Sequence, residues 1–146
     1  MAVEDIGLAD PEAVKQCLAA WETYERLGSP EGELAIAQAV IYLALAPKSN
    51  AAYTAFKAAS RAARETGSKA PPMHILNAPT KMMKEHGYGA GYDYDHDAED
   101  GFSGQHYFPD GMERLEFYRP VQRGFERDLM DRIAYFTRLR AGRQDG

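Results

Sequence analysis

Cysteine occurs once in 146 residues, at Cys17, so no intrachain disulfide can hold this fold. Long apolar runs are also missing. The longest candidate, Leu34 to Ala46, is apolar apart from Gln38 and is stopped at once by Pro47-Lys48-Ser49-Asn50. A bilayer span needs about 20 apolar residues, so the stretch reads as a helix of a soluble domain and no membrane partner is expected. No signal-peptide pattern opens the chain, which makes the cytoplasm the expected compartment. Net positive charge is absent as well. With 22 acids against 17 bases the chain carries -5, which disfavours a general nucleic-acid binder.

The motifs that mark nucleotide and hydrolase chemistry are missing too. Neither G-x-x-x-x-G-K-[ST], nor G-x-G-x-x-G after a strand, nor G-x-S-x-G occurs, so no catalytic residue and no cofactor is expected here. His74, His86, His96 and His106 stand ten or more residues apart and match no standard zinc spacing. Asp93, Asp95 and Asp97 resemble the opening of a calcium loop, but Ala98 stands where the turn glycine belongs and Gly104 where the bidentate Glu belongs. A structural or solvated acidic loop is the better reading, and no metal site is expected.

What is present is helical. Asp10-Pro11-Glu12 combines a cap, a favoured first residue and an acid at the positive end of the helix dipole. Val14, Cys17, Leu18, Trp21 and Tyr24 follow at helical spacing until Gly28, with Cys17 as a small packing residue rather than a nucleophile. Ser29-Pro30-Glu31 restarts a helix from about Pro30 to Leu45. That helix is apolar nearly all round, as buried helices are. Leu34, Ile36, Val40, Ile41, Leu43 and Leu45 are each worth about 2 kcal/mol on burial, and one helical stripe cannot use all six. The surplus predicts a contact with a partner in addition to the domain's own core.

Ser49 or Asn50 caps a third helix ending at Thr66-Gly67, with Ala52, Ala55, Phe56, Ala59 and Ala63 forming one face. Lys57, Arg61 and Arg64 point elsewhere on the same helix and make a basic ridge. Residues 68–78 read as an extended linker because of Pro71-Pro72, and Lys81 to His86 as a short helix ended by Gly87. Gly87 to Met112 holds six glycines, and its aromatics (Tyr88, Tyr92, Tyr94, Phe102, Tyr107, Phe108) argue against plain disorder. A brief extended piece at 115–118 precedes a last helix from about Val121 to Arg140, with Phe125, Leu129, Ile133, Phe136 and Leu139 on one stripe and a fraying tail from Gly142. The fold class expected is therefore all-α, a compact domain of about five helices with a long aromatic and acidic loop before the last.

Charge falls in blocks: -6 over residues 1–47, +5 over 48–86, -7 over 88–113 and +3 over 114–146. Such blocks can pair within the fold, pair between subunits, or remain solvated faces. An alternative to the assembly reading follows from the second block, a helical domain that contacts DNA through Lys57, Arg61, Arg64, Lys81 and Lys84. The start, Met1-Ala2-Val3-Glu4-Asp5, has no hydrophobic entry and is read as lying inside a longer protein.

Four stretches in order, EDIGLADP (4–11), PEGELAIAQAVIYLALAPKSNAAY (30–53), HILNAPTKMMKEHGYGAGYDYDHD (74–97) and YFPDGM (107–112), closely resemble the C-terminal domain of the RarA family. These are replication-associated recombination ATPases, also called MgsA and related to the eukaryotic Werner-helicase-interacting protein. The resemblance implies that residues 1–146 are the C-terminal oligomerisation domain of a clamp-loader-like AAA+ ATPase, joining subunits into a homotetramer. It further implies a DNA-dependent ATPase parent in replication, recombination and repair, with ATP and Mg bound upstream. DNA and fork proteins such as single-strand binding protein are the implied partners, in a nucleoid-associated cytoplasmic setting. Ile75-Leu76 departs from the Leu-Arg expected before Asn77-Ala78-Pro79-Thr80, which removes a positive charge and argues against anion binding at that turn.

Overall fold

The computed structural model describes residues 1–144, and among these every regular element is helical and no strand occurs. The expected all-α class holds. The chain divides into two units, residues 1–61 with 116–135, and residues 62–115 with 136 onward; the boundaries after 61 and 135 fall within the third and the last long helix, and the one after 115 in irregular chain. No helix among the described residues is long and apolar enough to cross a membrane.

In the first unit, α1 spans Glu12–Leu27 and α2 spans Glu31–Leu45. Asp10 Oδ1 accepts the Glu12 amide at 3.1 Å, relieving one of the free N–H groups that open α1. Gly28, at φ 64°, closes it with its N–H on the Tyr24 carbonyl at 2.9 Å. The two helices pack against each other through small residues. A Cβ at Gly32 would stand 2.6 Å from Tyr24 Cα, so only glycine lets α2 start this close to α1. Ala13 and Ala20 on α1 and Ala39 on α2 are the buried side chains of the pair. The expected burial of α2 is therefore not what the chain builds. Because the alanine and glycine positions set a short interhelical distance, the larger Val14, Leu18, Trp21, Leu34, Val40, Ile41 and Leu45 have no room between the helices and stand outward.

The turn after α2 ties three segments together. Lys48 Nζ donates to the carbonyls of Leu43 and Ala46 at 2.6 and 2.5 Å, closing the negative end of α2. Ser49 Oγ accepts the Ala51 amide at 3.2 Å and so opens α3, Ala51–Thr66. The same hydroxyl donates at 2.8 Å to Glu126, a fully buried carboxylate. Two further donors reach Glu126, Tyr118 Oη at 2.8 Å and the Val121 amide at 2.8 Å. Residues 1–10, which form two short helical turns (Ala2–Ile6 and Gly7–Ala9) unforeseen from the sequence, join through the Ser49 amide on the Asp5 carbonyl at 2.7 Å. They bury Ile6 and Ala9.

The last long helix, α5, starts at Glu126 and not at Val121. Phe125 gives its N–H to the Ala9 carbonyl at 2.8 Å, and Gly124 stands at φ 51° with a Cβ position only 2.0 Å from that oxygen. Both commitments take the chain out of helical register until Glu126. At its other end α5 continues through Gly142 to Gln144, beyond the expected Arg140; the rest of the tail expected to fray, Asp145-Gly146, lies outside the described residues.

In the second unit, the segment after α3 makes one helical turn, Met73–Ile75, and buries Pro72. α4, Lys81–Glu85, begins where Thr80 Oγ1 accepts the Met83 amide at 3.2 Å. The long loop that follows contains a single helical turn, Asp95–Asp97, and lies against the end of α5, where the Phe102 and Phe136 rings are 5.0 Å apart.

Two substitutions test the junction. Glu126→Ala removes the acceptor shared by three donors and is expected to lower stability by about 3 kcal/mol in urea denaturation followed by circular dichroism. Gly124→Ala, which adds a Cβ at positive φ against a backbone oxygen, is expected to cost about 2 kcal/mol. An unchanged denaturation midpoint in either would contradict the packing described.

Candidate functional site

With 100° between successive side chains, Leu34, Ile41 and Leu45 fall on the side of α2 opposite Gly32 and Ala39. Their exposures are 69%, 62% and 82%, values of side chains with almost no protein around them. Ile36 and Leu43 lie instead towards the Gly32 and Ala39 side, Ile36 just exposed and Leu43 half-buried, and Val40 is exposed between the two sides. On α1, Val14, Leu18 and Trp21 form a second exposed row at i, i+4 and i+7, with Trp21 60% exposed. Cys17 lies half-buried on the same helix. Single exposed apolar side chains are ordinary, whereas these form apolar rows on two neighbouring helices.

The polar groups of the first unit are held in structure. Tyr42 Oη donates to Asp10 Oδ2 at 2.7 Å, and this bond, followed by burial and the acid's charge, raises its pKa above the ordinary tyrosine value. Burial raises the Tyr118 phenol as well, reinforced by its bond to Glu126, so it is a permanent donor at any physiological pH. Neither arrangement offers a nucleophile beside a base. Among the described residues no group of three or more His, Cys, Asp and Glu side chains converges as a metal site.

The five basic residues of the DNA alternative divide between the units. Lys57 and Arg61 lie on α3 in the first, with the Lys57 ammonium 5.2 Å from the centre of the Tyr53 ring. Arg64, Lys81 and Lys84 lie in the second, where Lys81 stands 3.9 Å from Glu85 across one turn of α4. Phe56, expected on the alanine face of α3, is 72% exposed and flanks Lys57 instead.

The acidic loop of the second unit is cross-tied. Asp95 Oδ1 accepts the Ser103 amide at 2.7 Å, and its hydrogen bonds from Ser103 hold its carboxyl below the ordinary aspartate value of 3.8. Gln105 spans the loop, giving its Nε2 to the Gly91 carbonyl at 2.6 Å and taking the Asp93 amide at 3.0 Å. Arg143 pairs with Asp100 and with the Phe102 carbonyl. An open depression of about 310 Å³ lies between Tyr92, Asp93, Tyr94, Asp97 and Arg143. Sequence reasoning did not single out Ser103, Gln105, Tyr118, Glu126 or Arg143. The local pattern carries no signal for them, since each acts on residues distant in the chain or across an irregular loop.

Asp95 generates a pH prediction. A carboxyl whose pKa is depressed by folding contributes stability above its unfolded value and loses it as pH falls through the folded one. In an NMR titration the Ser103 amide resonance should therefore move with a midpoint below 3.8. A midpoint at or above that value would reject the tie.

A family model described as "MgsA AAA+ ATPase C terminal" matches residues 1–137. The chain is 52% identical over 140 residues to Replication-associated recombination protein A of Coxiella burnetii, covering 95% of this chain and 32% of that protein. It is 49% identical over 138 residues to the protein of the same name from Escherichia coli K12, covering 94% and 31%. A eukaryotic relative, ATPase WRNIP1 of Dictyostelium discoideum, is 42% identical over 120 residues, 81% of this chain and 14% of that one. The chain thus spans about a third of the length of the bacterial relatives.

Proposed function

The chain belongs to the family of MgsA AAA+ ATPase C-terminal domains, and from that premise we propose that it is the piece that joins copies of a larger ATPase into a homotetramer. The observation that carries this reading is the outward apolar stripe of Leu34, Ile41 and Leu45 on α2. Water against these side chains is unfavourable by about 25 cal/mol per Å², and a second copy presenting the same stripe removes it for both. Such self-complementary contact is the usual geometry of a two-fold interface. The row Val14, Leu18, Trp21 on α1 supplies a further apolar surface, and a tetramer requires more than one kind of contact unless it closes as a ring.

Catalysis belongs in this reading to the rest of the protein. The ATP and Mg site belongs to the ATPase part of the parent protein, a reading supported by the family being one of AAA+ ATPases. The domain itself is not an enzyme; it brings ATPase copies together for work on DNA at replication forks, in recombination and repair, in the cytoplasm at the nucleoid. Fork proteins such as single-strand binding protein are partners of that assembly, and the role of the bacterial relatives in replication-associated recombination supports this setting.

Light scattering on the 146-residue chain decides the central point. An oligomer is expected at tens of micromolar, and a monodisperse monomer there would sink the proposal. Because Leu34 and Ile41 are exposed within the protomer, Leu34→Asp with Ile41→Asp should yield a folded monomer whose helical circular dichroism is retained. Ala39→Asp, which forces a carboxylate between α1 and α2, should instead unfold the chain at a cost of several kcal/mol.

A further inference from the structure

Within the first unit, α3 turns outward a face of another composition. Tyr53, Phe56, Lys57 and Arg61 fall within about 140° of helical arc, while Ala52, Ala55 and Ala59 on the other side are half-buried. Phe56 is the most exposed aromatic of the unit at 72%, and Tyr53 is exposed beside it. Lys57 lies over the Tyr53 ring, and neither Lys57 nor Arg61 has a carboxylate partner among the described residues. Residues 48–61 of this unit carry three bases and no acid in a chain of -5, so the local field attracts a polyanion that the whole chain would repel.

Each simple partner of a helix surface fits only half of this face. Water suits the two cations but leaves the Phe56 ring unfavourably hydrated. Duplex DNA offers phosphates but keeps its base faces stacked inside. A single strand offers phosphates for the cations and open base faces for the rings, and such stacking works with every base. Residues three apart on a helix have Cβ atoms about 5–6 Å apart, so Tyr53 and Phe56 are near enough to meet neighbouring nucleotides of one strand.

We infer that this face of α3 binds single-stranded nucleic acid, with phosphates on Lys57 and Arg61 and bases against Phe56 and Tyr53. The site lies on a different helix from the assembly stripe of α2, so it stands whether or not the chain forms oligomers. The inference rests on Lys57 and Arg61 alone of the five basic residues, since Arg64, Lys81 and Lys84 belong to the other unit.

Fluorescence anisotropy tests it on the 146-residue chain, with a labelled oligothymidylate and a duplex of equal length, at several salt concentrations and with light scattering on the same samples. The single strand is expected to bind more tightly than the duplex. Phe56→Leu, which keeps an apolar side chain without a π-face, should weaken single-strand binding about tenfold with mass and helicity unchanged. Lys57→Gln with Arg61→Gln should reduce the slope of log affinity against log salt by about 1.4, two phosphates at about 0.7 each. Absence of binding at low salt overturns the inference. So does equal affinity for duplex and single strand with no effect of Phe56→Leu, which would leave only a phosphate-attracting patch. A fall in molar mass with Phe56→Leu would overturn it in favour of a contact between copies, in which this face receives the acidic loop of residues 88–113.

Discussion

Glu126 carries a carboxylate to a fully buried place, and the first unit is arranged around satisfying it. Ser49 comes from the turn after α2, Tyr118 and the Val121 amide from the segment before α5, and all three donate to that one acceptor. Hydrogen bonds to a charged group are stronger than neutral ones, and leaving any member of such a set unpaired costs more than making it gains. The hub therefore fixes where α3 starts, where α5 starts and how the segment before α5 approaches both. Residues 1–10 are locked to the same place by backbone bonds from Ser49 and Phe125 to Asp5 and Ala9.

From this constraint the division of the first unit follows. The polar hub and the alanine contacts specify the fold at short range, so the large apolar residues of α1 and α2 are not needed inside. Their outward display is the physical basis of the assembly reading, while α3 displays aromatic and basic groups together. Two outward faces of unlike chemistry on neighbouring helices suit a domain that holds copies together and touches a ligand as separate tasks.

Much of the secondary structure was legible because its signals are local. Asp10, Gly28, Ser49, Thr80 and Gly87 mark helix limits through hydrogen bonds or backbone angles set within a few residues. Burial was not legible, because hydrophobicity names which side chains avoid water but not what will shield them. Val14, Leu18, Trp21 and Leu34 look like core residues by that measure, yet Gly32 and Ala39 decide which face of α2 turns inward, and only their positions opposite Ala13, Ala20 and Tyr24 reveal it. Glu126 was missed for the converse reason: an acid at the start of a helix usually faces solvent, and its burial depends on partners as much as 77 residues away in sequence. In the acidic loop the failed calcium spacing was readable, whereas the ties made by Ser103, Gln105 and Arg143 depend on the loop's own irregular path.

The close fit of Gly32 against Tyr24 has an evolutionary consequence. Positions that set the distance between α1 and α2 admit almost nothing larger, whereas the outward positions Leu34, Ile41 and Leu45 are free, within a single protomer, to become any residue that tolerates water. The two sets can therefore diverge at different rates. Under the proposed assembly, a lineage can rewrite which copies recognise one another by drifting along the outer stripe, and the hairpin that bears the message keeps its shape throughout.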